Sequence, residues 1–548
     1  MTPTNLILGL IGLWLLYFLL SRLFFRSRPS APLPPGPKGK PIIGNLADLP
    51  PPEMQEWRHW LQFKERYGPI SSLTILGQTI VILNDVRMAF DLLEKRSNIY
   101  SSRPRLTFAG EIVGWNDALG MQTYSHQFRA YRKVMHRVLG SKHTTARFNS
   151  LQEMEVRRFL KRMLDRPEDL IQHIRTEAGA VILKIAYGYT IEPHGRDPLV
   201  DLVNEAMDQF SIAGSPGRWL VDTIPLCLFF CQTQPCDISL LTFETTYAVK
   251  HLPAWFPGAS FKRTGLAWNR TLLTTIEKPY QFVRQQMQRG KYTPSYVSSL
   301  LKGRDLNTLT PEEEHIIKWT AGSLYTAGAD TTVSVLSIFF LAMALHPEIQ
   351  DKAYEELERV VGRARLPTFA DREHLPYIEA IVKESLRWHP IAPTGIPHEC
   401  TQDDIYEGYL IPKGSIIIPH IWQMAQDPAS YPNPTVFNPM RFLSPETSQM
   451  DPHHLAFGFG RRICPGRLLA DNTIFLTIAQ SLAVFRFLPR DDAEGLRAEF
   501  APGVVSHPLP YALKVEVRGE EQRKVVREGL EEVGWGVSDA GALTGVIC

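Results

Sequence analysis

One cysteine in this chain stands in a setting that can do chemistry. The run Phe457-Gly458-Phe459-Gly460-Arg461-Arg462-Ile463-Cys464-Pro465-Gly466 puts a thiol in a glycine-rich loop, where backbone N–H groups can approach the sulfur and stabilise a thiolate. Arg462 adds a positive charge that could bind an acidic group of a cofactor. A lowered thiol pKa and open backbone donors are what a soft-metal ligand needs. With no His or Cys partner nearby, four-ligand zinc fits poorly, and a single axial thiolate to haem iron fits better. A lone cysteine is usually an inert buried residue, but the sequence around Cys464 speaks against that. A second constellation, Ala327-Gly328-Ala329-Asp330-Thr331-Thr332, sets polar groups in the middle of an apolar run, where polarity is costly without a purpose. A hydroxyl beside a carboxylate in an apolar groove can relay protons through water.

The pattern Phe457-x-x-Gly460-x-Arg462-x-Cys464-x-Gly466 resembles the haem-binding signature of the cytochromes P450, and further motifs of that family follow in order over nearly the whole chain. The resemblance implies haem b (iron protoporphyrin IX) as cofactor, with Cys464 as axial ligand to its iron. Glu384-Ser385-Leu386-Arg387 is similar to the family's Glu-x-x-Arg helix; a spacing of three sets both side chains on one face. Such a pair at the surface is worth only about 0–1 kcal/mol. The resemblance implies instead a buried triad with Arg441 of Pro439-Met440-Arg441-Phe442, holding the haem-side core. The segment 327–332 resembles the family's oxygen-activation motif, so Asp330 and Thr331 are expected to pass protons to bound oxygen, with small residues leaving room for a ligand. Tyr124–Lys133 resembles the Trp-x-x-x-Arg helix with Phe128 at the tryptophan position. Arg132 is then expected at a haem propionate, without the indole hydrogen bond, and His398 and Arg462 are the other propionate candidates. Solvated charge is an equal alternative for Arg129 and His398. The substrate pocket is expected around residues 108–114, 323–326, 393–396 and 504–506.

These residues need a scaffold. Residues 70–83 read as two strands turning at Gly77-Gln78, followed by a helix that Asn84 or Asp85 could cap. Residues 122–302 are mostly helical in pattern. The clearest helix opens at Thr310-Pro311-Glu312-Glu313, where a capping residue, a first-turn proline and a capping-box acid coincide, and runs to about 345. Being apolar nearly all round, it reads as buried. Another helix spans about 375–388, then come short strands such as 415–419 and a long irregular stretch, 427–455. The expected fold is mainly α with small β-sheets (α+β), a single large haem domain.

The 548 residues are 44% hydrophobic and 21% charged, with 59 Lys+Arg against 57 Asp+Glu, a formal +2. That excludes disorder and a multi-pass membrane protein, and nothing in the charge argues for a nucleic-acid partner. The first 25 residues form an apolar run long enough to cross a bilayer, with Arg22, Arg26 and Arg28 at its end and a proline-rich linker over 26–40. The reading is an uncleaved single-pass anchor in the endoplasmic reticulum membrane with a cytosolic body at 41–518; a cleaved signal peptide is the alternative. Residues 226–249, holding Cys227, Cys231 and Cys236 and no Lys or Arg, break what the family resemblance makes a short connection. They read as a retained intron or gene-model error, or else a real membrane-facing loop. Residues 519–548 read as an atypical tail without chemistry. The resemblance implies a monooxygenase that takes electrons from a separate NADPH–cytochrome P450 reductase and inserts one atom of O2 into a lipophilic small molecule. Secondary-metabolite tailoring of a terpenoid or polyketide-like compound, or xenobiotic oxidation, is the expected setting. A reductase-independent isomerase or dehydratase and a non-functional mis-spliced product are the alternatives.

Overall fold

A computed structural model describes residues 31–51, 54–215, 218–223, 253, 255, 259–306, 308–443, 449–490 and 495–546. The expected anchor at 1–25, the start of the linker and the 226–249 insert lie outside them. Helix α1 (Glu56–Tyr67) precedes the hairpin of β1 (Ile70–Ile75) and β2 (Gln78–Leu83). The Asp85 carboxylate then caps the next helical turn by accepting from the Met88 N–H at 3.0 Å. A helical body follows: α2 (His126–Leu139), α3 (Asn149–Asp165), α4 (Leu170–Tyr187), α5 (Pro198–Ala213), α6 (Ser260–Gln288), α7 (Pro311–Leu345) and α8 (Pro376–Trp388). Short strands β3 (His398–Glu399), β4 (Asp404–Tyr406), β5 (Tyr409–Ile411) and β6 (Ile416–Pro419) return to the hairpin, giving a sheet of order β1-β2-β6-β3 in which β2 and β6 are parallel. After α9 (Arg467–Val484), strands β7 (Phe485–Pro489) and β8 (Leu513–Val517) pair antiparallel, and α10 (Glu520–Val533) ends the helical part.

The central helix is α7. Thr310 and Glu313 form the capping box, the Glu313 N–H donating to the Thr310 hydroxyl at 3.2 Å and the Thr310 N–H to the Glu313 carboxylate at 3.1 Å. Among the described residues it is the one helix long and apolar enough to cross a membrane, and it lies mostly buried as the centre of the fold. Its glycines serve packing. A Cβ on Gly328 would stand 2.9 Å from Ile182 Cγ1 of α4, and one on Gly322 would stand 2.3 Å from Ile276 Cδ1 of α6. This corrects part of the expectation for the 327–332 motif: the missing side chain of Gly328 makes room for a neighbouring helix, not for a ligand.

The tail is docked. Val526 and Leu530 of α10 are buried, and the Gly534 carbonyl accepts from Arg158 Nε of α3 at 3.0 Å. The Trp535 ring lies 5.2 Å from the Arg162 guanidinium and 5.0 Å, edge-on, from His194. Asp539 accepts from the Thr190 N–H at 2.8 Å. Residues 520–539 thereby cover a buried ionic cluster in which Arg158 meets Glu155 at 2.6 Å. There burial pushes the Glu177 carboxyl up to about 8.

Candidate active site

The cysteine loop is closed by the Cys464 N–H, which donates to the Phe457 carbonyl at 2.8 Å. Gly460 is required at its place: its φ is +52°, and a Cβ there would meet the Leu93 carbonyl oxygen at 2.4 Å. Left-handed backbone and close approach together exclude other residues. The N–H groups of Gly466 and Arg467, at the start of α9, point to the Cys464 sulfur. The thiol nevertheless sits high: burial pushes it up, and these N–H groups with the charges of Arg132 and Arg467 only partly oppose that. Those backbone donors and the two guanidinium charges are the groups that favour a thiolate at this sulfur.

Three guanidinium groups converge beside this loop with no carboxylate partner among the described residues. Arg462 donates to the carbonyls of Ser101, Leu119 and Gln122 at 2.5, 3.4 and 2.7 Å and lies over the Phe128 ring at 3.8 Å. Arg103 donates to the carbonyls of Gly120, Ile396 and Pro397 at 3.1, 2.6 and 2.9 Å. Arg132 donates to the Ile463 carbonyl at 2.6 Å. Burial and the Arg132 charge hold Arg462 down at about 9, while burial and Arg462 hold Arg103 well below its usual value. Unpaired buried cations are costly unless an anion joins them. A dianionic cofactor with a soft-metal centre, set against the Cys464 sulfur, matches this donor set, so the residues fit haem. His398 is buried in β3 with Nδ1 2.7 Å from the Tyr100 carbonyl. Burial, with Arg103 and Arg462 nearby, lowers its pKa well below the ordinary value. Phe128, expected only as a lost indole, has its own contact in stacking on Arg462. Arg103 escaped the sequence reading; it stands in Ser101-Ser102-Arg103-Pro104, where neither spacing nor periodicity marks it.

Below the loop, Glu384 and Arg387 of α8 are fully buried and bidentate, at 2.7 and 2.8 Å, and Arg441 donates to the same carboxylate at 3.2 Å. Arg387 also donates to the Ala425 carbonyl, and the Asn438 N–H donates to Glu384 at 2.8 Å. The triad thus ties α8 to the irregular stretch before the cysteine loop. A second ionic group was not anticipated: His453 stands 2.6 Å from Asp451 and 2.9 Å from Asp471 of α9, with Arg372 2.7 Å from Asp471.

On α7, Thr331 donates its hydroxyl to the Ala327 carbonyl at 2.7 Å. Asp330, half-buried, has its Oδ1 3.0 Å from His507 Nε2. Of the expected pocket segments, Phe108 stacks on Trp219 at 3.5 Å and meets Trp268 edge-on at 5.7 Å. Ser323 Oγ accepts from the Leu119 N–H at 3.0 Å, and the Thr326 hydroxyl is spent on the Gly322 carbonyl at 2.9 Å.

The chain matches the cytochrome P450 family model over residues 34–234 and 237–515, and it belongs to that family. It is 45% identical to the cytochrome P450 monooxygenase ppsD of Aspergillus oryzae, covering 93% of this chain and 94% of that protein. It is 44% identical to the cytochrome P450 monooxygenase claR of Ampulloclitocybe clavipes, over 96% and 93%. To the O-methylsterigmatocystin oxidoreductase of Aspergillus flavus it is 40% identical, over 97% and 96%. It is accordingly a cytochrome P450 monooxygenase, and the family implies a haem-thiolate cofactor.

Proposed function

We propose that this monooxygenase holds haem b with Cys464 as the iron ligand and with Arg103, Arg132, Arg462 and His398 around the propionates. The convergence of three unpaired guanidinium groups beside the cysteine loop carries this reading. Bound there, the cofactor supplies the dioxygen chemistry that inserts one oxygen atom into an unactivated bond. The chain's own part is to orient and shield. Phe457, Gly460 and Gly466 shape the loop around the sulfur, the Glu384–Arg387–Arg441 triad holds α8 against it, and Asp330 with Thr331 moves protons on the α7 side. The packed aromatic group of Phe108, Trp219 and Trp268 supports an apolar pocket for a lipophilic small molecule. Names such as O-methylsterigmatocystin oxidoreductase among relatives support secondary-metabolite tailoring as the setting. The apolar start of the chain supports an anchor in the endoplasmic reticulum membrane, with NADPH–cytochrome P450 reductase as electron donor. The reduced carbon monoxide difference spectrum tests the cofactor assignment: the thiolate-haem band is expected for the wild type and absent in Cys464→Ser. A band that survives in Cys464→Ser would overturn it.

A further inference from the structure

His507 has no part in the reading above, yet it is the described ion-pair partner of Asp330. The contact joins segments remote in sequence and is held in register from both sides. One turn along α7, Ser334 donates to the Ser506 carbonyl at 2.6 Å. The Ser506 hydroxyl donates to the Ala501 carbonyl at 2.9 Å and stands 2.8 Å from His389 Nε2. The Ala501 N–H in turn donates to the His507 carbonyl at 2.8 Å. The backbone around His507 is thus fixed against α7 next to the acid it meets.

The imidazole also faces outward. From α5, Asp208 lies within electrostatic reach of both His507 and Asp330. Burial pushes the Asp208 carboxyl up, Arg175 and His507 pull it down, and Asp330 and Glu205 raise it. Asp208, Glu205 and Arg175 line an open cleft of about 460 Å³ between α4 and α5. Among the described residues Asp330 of α7 and Asp208 of α5 are the charged groups tied to His507, and Arg175 of α4 and Glu205 of α5 in turn act on Asp208; the neutral His389 ring lies beyond Ser506. Imidazole is the side chain whose ordinary range lets it gain and lose a proton near neutral pH.

We propose that His507 delivers protons from this cleft to Asp330, making the acid–hydroxyl pair of α7 the inner end of a longer chain. In each passage the imidazolium Nε2–H gives its proton to the Asp330 carboxylate, Asp330 passes a proton on to the Thr331 hydroxyl side, and the neutral imidazole recovers one from solvent beside Asp208. No electron moves in these steps; the electrons come from NADPH through the reductase proposed above. His507 acts through Asp330 and is a positioning and supply residue. The proposal rests on the monooxygenase assignment and on the Asp330–Thr331 relay.

The full-length holoenzyme with reductase and NADPH tests it. His507→Gln keeps a hydrogen-bonding group but cannot shuttle a proton. It is expected to keep the thiolate carbon monoxide band while slowing NADPH-driven oxygen use about tenfold, raising the peroxide released per NADPH and at least doubling the solvent deuterium isotope effect. Asp208→Asn, which leaves the His507–Asp330 contact in place, is expected to move the same readouts in the same direction and serves where His507→Gln loses the band. Independently of turnover, diethyl pyrocarbonate is expected to label His507 several-fold faster in Asp330→Asn than in the wild type, read by peptide mass spectrometry. Equal labelling would mean that the contact does not form in solution and overturns the proposal. Wild-type peroxide balance and isotope effect in the banded His507→Gln, with Asp330→Asn impaired, overturn it while sparing the relay. If Asp330→Asn and Thr331→Ala also behave as wild type, the relay itself fails and takes the proposal with it.

Discussion

Arg103, Arg132 and Arg462 share one problem: each is drawn out of water, each satisfies its N–H groups on backbone carbonyls, and none meets a carboxylate among the described residues. Backbone oxygens satisfy hydrogen bonds but leave the net charge uncompensated. Arg103→Leu is therefore expected to release haem to apomyoglobin about tenfold faster, a loss near 1.4 kcal/mol, while the carbon monoxide band keeps its position because Cys464 is untouched. An unchanged transfer rate would remove Arg103 from the propionate set. At this scale the sequence was unevenly legible. Cys464, Glu384, Arg387 and Arg441 announce themselves by fixed spacing. Arg103 is held at the site by the carbonyls of Gly120, Ile396 and Pro397, a tertiary fact that no local pattern encodes.

Helix α7 was readable almost to the residue, because its start is a local device, a capping box with proline in the first turn, and its end is set before His346-Pro347. What the pattern could not show is which of its small residues face a helix and which a ligand. Gly328 packs on Ile182 with no slack, so Gly328→Ala trades a helix-propensity gain of about 1 kcal/mol against overpacking of roughly 1–3 kcal/mol. A net loss of stability near 1 kcal/mol is expected in urea unfolding. Ile182→Val, which removes the Cδ1 that also crowds the site, should offset it by at least about 0.5 kcal/mol in a double-mutant cycle. Additive effects would place the glycine's role elsewhere.

Across the whole molecule, ionic groups join elements far apart in sequence, and one sets a pH dependence. Burial pulls the His453 pKa down, yet Asp451 and Asp471 on its two nitrogens hold it up at about 9. A folded-state pKa raised above the ordinary histidine value contributes stability that is fully present below about pH 6.5 and lost as pH rises through about 9. That contribution is on the order of 3 kcal/mol. The melting temperature of the wild type is expected to fall from pH 7 to pH 9.5 and that of His453→Gln to be nearly flat; parallel curves would refute the assignment. This group stayed hidden in the sequence because its members sit in an irregular stretch, on a helix and in a turn, with no common spacing.

The docked tail bears on how the protein is handled at the bench. The family match ends at residue 515, and a domain trimmed there for expression would strip the cover from Arg158 and Arg162 and remove the buried Val526 and Leu530 side chains of α10. An affinity tag or fluorescent protein has to be joined after the docked residues, with its own spacer, so that Gly534 and Trp535 keep their seats. Poor yield of a shortened chain would then report a lost wall of the molecule, and exchange of the tag would not cure it.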